Sequence, residues 1–185
     1  MAQSRLNLRS VQTLLVDSDN FTRSLIANMF RGFGMDSPVV GENGAQAKHH
    51  LMHHYADLVV VEAQLPDMEA AELIRWMRRQ DKSPFRFVPI IVLSGYTQLR
   101  LVSSARDAGA NLVVKKPVSP AALFDRIAWV AKTARPFIET ADFIGPDRRF
   151  RDIPPLDGEY KRETDPQNAG SENVVAEQQK INSAA

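Results

Sequence analysis

Apolar residues follow two alternating patterns along the first 134 positions of the chain. Five short runs are almost continuously apolar, and in chain order they read VQTLLVD (11–17), SPVVG (37–41), DLVVVE (57–62), VPIIVLS (88–94) and NLVVKK (111–116). Runs of this length without polar alternation are typical of strands covered on both faces. Segments 20–32, 69–80 and 119–134 carry apolar residues at helical spacing instead. The alternation predicts an α/β domain with a doubly wound, five-stranded parallel sheet.

The pattern stops near residue 135, which divides the chain into three predicted regions. Residues 1–10 form an N-terminal extension, 11–134 the α/β domain, and 135–185 a tail with five of the eleven prolines and few clustered apolar residues. Such a tail cannot bury enough surface to offset its ordering entropy, so we expect it to be mostly disordered. Its one distinctive motif is Gly145-Pro146-Asp147-Arg148-Arg149. That motif is read either as a solvated linker or as a short segment that folds on a partner.

Composition narrows the class of protein. The chain has no cysteine, which excludes disulfides and cysteine-based metal sites, and it has no apolar run long enough to span a membrane. A signal peptide is not evident either, so a cytoplasmic protein is expected. Residues 1–135 carry 17 basic and 12 acidic side chains, and residues 136–185 carry 6 and 10. These balances argue against nucleic-acid binding, and the tail is not expected to contain a DNA-binding domain.

Polar side chains stand where the apolar runs end. In parallel α/β sheets ligands bind beyond the carboxyl ends of the strands, so these positions are the candidate site. The first run ends in Asp17-Ser18-Asp19, the third in Glu62, the fourth in Ser94, and the fifth in Lys115-Lys116-Pro117. A buried strand normally excludes charge, so the glutamate at the end of the third run needs a partner or a purpose.

These stretches together resemble the receiver domain of two-component response regulators. The resemblance covers about residues 11–134 and rests on LLVDSDNFTR, DLVVVEAQLPDMEAAELIR, PIIVLSGYT and ARDAGANLVVKKPVSPAAL. It implies a flavodoxin-like receiver fold and a signalling protein that is not an enzyme. In this family a kinase histidine transfers a phosphoryl group to an aspartate at the end of the third strand, assisted by Mg²⁺, a hydroxyl and a lysine.

Carried over by position, the resemblance assigns three pocket residues. Asp17 matches the first acidic residue, Ser94 the hydroxyl and Lys116 the lysine, and the Lys116–Pro117 bond matches the family's cis peptide. Four other positions depart from the pattern. Glu62 replaces the phospho-acceptor aspartate, Ser18 the second acidic residue, Ala70 a loop glycine, and Val113 the aromatic switch residue.

Two of these departures act against phosphorylation. A glutamate reaches about 1.5 Å further than an aspartate, and catalytic geometry is sensitive to errors of about 1 Å. Exchanging a carboxylate for the Ser18 hydroxyl removes an anionic ligand that Mg²⁺ favours, leaving at most weak binding at Asp17 and no other expected cofactor. We therefore expect Glu62 to pair with Lys116, either as an inert ion pair or as a mimic of phosphoaspartate. The alternatives are a receiver phosphorylated on Glu62 or another group, and a small-ligand-binding flavodoxin-like domain, which the lack of a glycine-rich loop disfavours.

The resemblance also implies a mode of action by protein–protein contact. The expected partners are a histidine kinase, a phosphotransfer protein or a downstream effector, and the chain is expected to act as a single-domain regulator. The implied signalling surface lies on the fourth helix, fifth strand and fifth helix, and it could also support a homodimer. Its residues include Gln98, Leu99, Val102, Val113 and Trp129.

A histidine cluster and an arginine cluster on predicted helices can each be interpreted either as solvent-exposed side chains or as a binding site. His49, His50, His53 and His54 form two i,i+4 pairs on a predicted helix, which predicts solvent-exposed histidines, with a metal site as the alternative. Arg75, Arg78 and Arg79 predict a solvated basic face at a helix C-terminus, with an acidic partner as the alternative.

Overall fold

A computed structural model describes residues 7–81, 83–95, 99–133 and 135–147. All five predicted apolar runs contain strands of one sheet. These are β1 (Thr13–Val16), β2 (Val39–Gly41), β3 (Leu58–Glu62), β4 (Ile90–Ser94) and β5 (Leu112–Lys115). Their order is β2-β1-β3-β4-β5 and every neighbouring pair is parallel. The predicted doubly wound parallel sheet is confirmed.

Five α-helices connect the strands. They are α1 (Asn20–Gly32), α2 (Gly44–His53), α3 (Ala70–Arg78), α4 (Leu99–Asp107) and α5 (Pro120–Lys132), with a short 3₁₀ turn at Pro84–Arg86. Side chains of Asp19, Asn43 and Ser119 accept backbone N–H groups at the starts of α1, α2 and α5. Such caps satisfy donors that have no partner inside the helix. Within the described residues, no helix is long and apolar enough to cross a membrane.

The core forms two layers, one on each face of the sheet. One layer packs α2, α3 and α4 against the sheet through residues such as Leu51, Ile74 and Ala105. The other packs α1 and α5 through Phe30 and Leu123. Strand β3 lies in the centre of the sheet, so alternate residues serve opposite layers and both faces are covered. This explains why its sequence shows no polar alternation.

Described residues on both sides of the predicted domain pack against it. Leu8, in the predicted N-terminal extension, is buried in the layer formed by α1 and α5. After α5, residues Phe137–Glu139 (β6) and Ile144–Pro146 (β7) form an antiparallel hairpin. Phe137 and Ile138 are buried, and this apolar pair was hidden in a proline- and glycine-rich segment. The prediction for the rest of the tail, including Arg148 and Arg149, lies outside the described residues.

The predicted basic face on α3 is also wrong at one position. Arg75 and Arg79 are exposed, but Arg78 has a relative exposure of only 1%. Its guanidinium donates to the carbonyl oxygens of Gly109 and Val88 at the base of the domain. Helical spacing could not reveal this burial, because the covering groups come from distant parts of the chain.

Candidate functional site

The sheet brings the predicted pocket residues to one edge. Asp17 follows β1, Glu62 ends β3, Ser94 ends β4 and Lys116 follows β5. Strand register places Glu62 opposite Leu93, and Ser94 opposite Lys115. Because all these strands are parallel, their carboxyl ends meet at the same edge.

Lys116 is the centre of the pocket. Its Nζ donates to Asp17 Oδ2 over 2.6 Å and also to Glu62 Oε2. The pairing of Glu62 with Lys116 expected from the sequence is therefore present, with Asp17 as a second carboxylate on the same ammonium. The Asp17 side chain is only 1% exposed, and those of Glu62 and Lys116 are 16% and 19% exposed.

Asp17 has no carboxylate oxygen left without a partner. While Oδ2 accepts from Lys116, Oδ1 accepts the backbone N–H of Asp19 over 2.9 Å. The loop around Asp17 is held by Arg23, whose Nη1 donates to the carbonyl oxygens of Asp17 and Ser18. Arg23 also pairs with Glu42 over 2.8 Å. Arg23 was not predicted from the sequence, although its place one turn into α1 puts it within reach of this loop.

Electrostatics favour a shared proton in the pocket. Burial, together with the hydrogen bond to Asp17, raises the pKa of Glu62 to about 7, although Lys116 opposes this shift. Burial would lower the pKa of Lys116, but its hydrogen bonds with Asp17 and Glu62 outweigh that effect and raise it. One ammonium cannot fully neutralise two carboxylates, and burial together with the neighbouring Asp17 keeps a proton on Glu62 up to near-neutral pH.

The other two residues of the predicted acidic pocket have different roles. Both oxygens of Asp19 are used at the start of α1, where they accept from the Phe21 backbone N–H and the Thr22 hydroxyl. The Thr22 hydrogen bond, followed by that of Phe21, lowers the pKa of Asp19. Ser18 is exposed. The predicted acidic pocket of three residues therefore supplies one inward-facing carboxylate, Asp17.

The residues present do not fit Mg²⁺. This ion needs several oxygen ligands in near-octahedral geometry. Here both Asp17 oxygens are engaged by the protein, and Glu62 is bound to Lys116. No group of three or more metal-ligating side chains occurs in the part of the chain that the structure describes.

Ser94 at the end of β4 and Lys116 after β5 lie where the resemblance to receiver domains places them. Ser94 is 2% exposed and its carbonyl oxygen accepts the Lys116 backbone N–H over 2.8 Å. The Lys116–Pro117 peptide is cis, as predicted. Together these contacts fix the backbone that carries the Lys116 ammonium.

The loop after β3 contains a carboxylate that the sequence analysis did not single out. Asp67 accepts the backbone N–H groups of Gly44 and Ala45 over 2.8 and 2.9 Å. These groups lie in the first turn of α2, where an anion is stabilised. A Cβ added at Gly44 would meet the end of the Met68 side chain, which would have to move aside. Asp67 thus fastens the pocket loop to the neighbouring helix.

The predicted signalling surface is described only in part. Val102 on α4 is exposed, whereas Val113 on β5 and Trp129 on α5 are half-buried. Gln98 and the Leu99 side chain lie outside the described residues. Whether this surface binds a partner or a second copy stays a prediction.

The four histidines at the end of α2 form two ring pairs, of which one is tilted and the other stacked. The rings of His49 and His53 lie 4.5 Å apart, and those of His50 and His54 lie 4.9 Å apart. Three are exposed and His50 is half-buried, close to the solvent exposure predicted from the sequence. Burial, followed by the charges of His54 and His49, lowers the pKa of His50. No third ligand joins either pair among the residues with described positions.

Comparison with known proteins identifies the family. The model of the response regulator receiver domain matches residues 13–128. The chain belongs to this family. It takes part in two-component signalling as a receiver domain, and the resemblance stated from the strand-end motifs is confirmed.

Individual relatives show how far the similarity extends. The chain is 27% identical over 132 residues to the sensory/regulatory protein RpfC of Xanthomonas campestris, covering 71% of this chain and 18% of that protein. It is 30% identical over 150 residues to the transcriptional regulatory protein PdtaR of Mycobacterium tuberculosis, covering 80% and 62%. The chain thus spans less than two thirds of the length of each of these curated relatives. Chemotaxis response regulator CheY4 of Vibrio cholerae has a TM-score of 0.59 at 21% identity, covering 65% of this chain and 98% of CheY4, which shows the shared fold.

Proposed function

We propose that this receiver signals by protein–protein contact and is not phosphorylated in the ordinary way. The observation that carries the proposal is the occupation of Lys116 by two carboxylates, Asp17 and Glu62. In the family this lysine engages the phosphorylated aspartate. Here the lysine ammonium already donates to two carboxylates of the unphosphorylated protein.

The physical argument concerns both the nucleophile and the charge around it. Glu62 reaches towards the lysine, so its carboxylate occupies space that an incoming phosphoryl group needs. A carboxylate that holds a proton near neutral pH is also a weaker nucleophile than a free anion. The pocket lacks the second acidic ligand at Ser18, so the negative charge of a phosphoryl group would meet fewer compensating cations.

The test is labelling by a small phosphodonor. Radiolabelled acetyl phosphate with Mg²⁺ should leave no stable label on the wild type, whereas the double variant Ser18→Asp/Glu62→Asp should be labelled. Each single variant should fall between them, since an ångström-scale misplacement costs on the order of 100-fold. Adding Ser94→Ala to the double variant is the control. If the label is placed within the pocket, loss of this hydroxyl should lower the labelling.

A stable label on Glu62 of the wild type would refute the proposal and favour the phosphorylatable alternative. Binding of a small molecule that protects Lys116 from acetylation would instead favour the ligand-binding alternative. These outcomes are distinct because the first forms a covalent product and the second does not.

Within the proposal, the ion pair is either inert or a mimic of phosphoaspartate. Val113 replaces the aromatic switch residue, so a mimic would lack the family's aromatic read-out, which favours the inert pair. Equal partner binding by the wild type and Glu62→Gln would eliminate the mimic. Action in the cytoplasm and without a separate output domain stay predictions.

Partner identity calls for a pull-down with two lengths of the chain. The shorter form should end after Asp147, so that it keeps the β6–β7 hairpin, which contacts the domain through Phe137 and Glu139. A histidine kinase, phosphotransfer protein or effector retained by both forms would support binding through the receiver. Retention by the full chain alone would assign the interaction to the tail.

A further inference from the structure

The β6–β7 hairpin lies beyond the part of the chain that matches the receiver family. It has two three-residue strands, and a hairpin of this size has little stability by itself. A Thr140–Phe143 turn joins the strands, and the Asp147 backbone N–H donates to the Pro136 carbonyl at the open end over 2.9 Å. Its order therefore depends on contacts with the receiver.

Those contacts lie at the end of the domain opposite the Lys116 pocket. The Phe137 ring covers the Arg78 guanidinium at 4.9 Å and meets the Phe87 ring edge-on at 5.1 Å. Arg86 pairs with Glu139 over 2.6 Å. Aromatic, cationic and ionic contacts thus all join β6 to the segment between α3 and β4.

Arg78 connects this segment to the end of α4. Its guanidinium donates five hydrogen bonds, two of them to the Gly109 carbonyl and one each to the carbonyls of Arg86 and Val88 and to Asn111 Oδ1. No carboxylate contacts it among the described residues. A buried cation is tolerated when all its N–H groups have hydrogen-bond acceptors. Loss of the hairpin that covers Arg78 would therefore expose the guanidinium together with the carbonyl groups that it binds.

The end of α4 is held from its other side by β7. Gly109 has φ +102° and closes the helix, with its N–H bonded to the Arg106 carbonyl and the Ala110 N–H bonded to that of Ala105. β7 approaches this cap so closely that a Cβ added to Gly145 would lie 2.6 Å from Gly109 Cα. The glycine of the Gly145-Pro146-Asp147 motif is thus explained by backbone contact with α4.

We propose that the β6–β7 hairpin is an intramolecular clamp that fixes the C-terminal end of α4 and the start of β5. On one side, Arg78 donates hydrogen bonds to the Gly109 carbonyl oxygen. On the other side, Gly145 of β7 packs against the Gly109 backbone. Two residues after Gly109, Asn111 begins the β5 register by donating its N–H to the Ile90 carbonyl over 2.9 Å. The clamp therefore acts on the face that carries Val102 and Val113, and it does so whether or not Glu62 accepts phosphate.

Hydrogen exchange on the full-length protein tests the clamp. Gly145→Ala introduces a backbone clash with Gly109 without requiring an unusual φ, so β7 must move away. The Gly109, Ala110 and Asn111 amides should then exchange about tenfold faster than in the wild type, while the Asp17 amide, which follows β1, should change by less than about twofold. Gly32→Ala is the matched control, since its Cβ meets nothing within 4 Å.

A second variant avoids any change in backbone. Glu139→Gln removes the negative charge from the contact with Arg86 and should accelerate the same three amides by a smaller factor. Equal acceleration at the α4 cap and at Asp17 would overturn the proposal, because it would mean a general loss of stability. Fast exchange of the hairpin amides with unchanged exchange at Gly109, Ala110 and Asn111 would overturn it too, because the hairpin would then have no effect on the end of α4.

Discussion

Replacing Glu62 by glutamine should change how stability depends on pH. In the folded receiver, burial and the neighbouring Asp17 raise the pKa of Glu62 from 4.5 to about 7. The unfolded chain releases this proton near pH 4.5, so folding retains a proton between about pH 4.5 and 7. The contribution of Glu62 to stability is therefore complete below about pH 4.5 and is lost as the pH rises through 7.

The size of the effect follows from the two pKa values. Each pH unit between them corresponds to about 1.4 kcal/mol, so the full difference is about 3 kcal/mol. Between about pH 5.5 and pH 8 the wild type should lose about 2 kcal/mol through this residue. Glutamine resembles the protonated acid and does not titrate, so Glu62→Gln should not show this loss.

Urea unfolding of both proteins across this pH range measures the difference directly. Glu62→Gln should gain stability relative to the wild type as the pH rises. The exposed Glu72 on α3 provides the control, and Glu72→Gln should follow the wild type at every pH. A constant difference between Glu62→Gln and the wild type would refute the reasoning, since it would mean that the folded-state pKa is not raised.

Three substitutions should lower the free energy of unfolding for different reasons. Arg78→Met should cost about 3 kcal/mol or more, because it leaves buried carbonyls without donors, while Arg79→Met on the exposed side should cost little in the same urea titration. Asp67→Ala should cost about 1 kcal/mol and raise hydrogen exchange at the Gly44 and Ala45 amides; unchanged exchange would contradict its role at α2. Phe30→Ala should cost about 3–5 kcal/mol in thermal or urea unfolding, as expected for a cavity in the layer between α1 and α5.

Local patterns predicted the fold because its elements are regular. The β3 run shows continuous apolar character since both of its faces are covered, and α5 begins with Ser119-Pro120, a cap followed by a proline in the first turn. The same reasoning located Asp17, Glu62, Ser94 and Lys116, because parallel strands bring their carboxyl ends together whatever the loops do. It failed at Asp19, whose type suits a metal ligand and a helix cap equally well.

The sequence by itself determined the alternation of strands and helices along the chain, the edge of the sheet that carries the pocket and the presence of glutamate where the family has aspartate. Tertiary structure alone decided that one ammonium serves two carboxylates, because the distance between Asp17 and Glu62 depends on how β1 and β3 pair. It also decided that Arg78 is buried and that residues 137–146 form a hairpin in contact with the domain. Those outcomes depend on contacts between segments far apart in the chain, and local periodicity carries no information about such contacts.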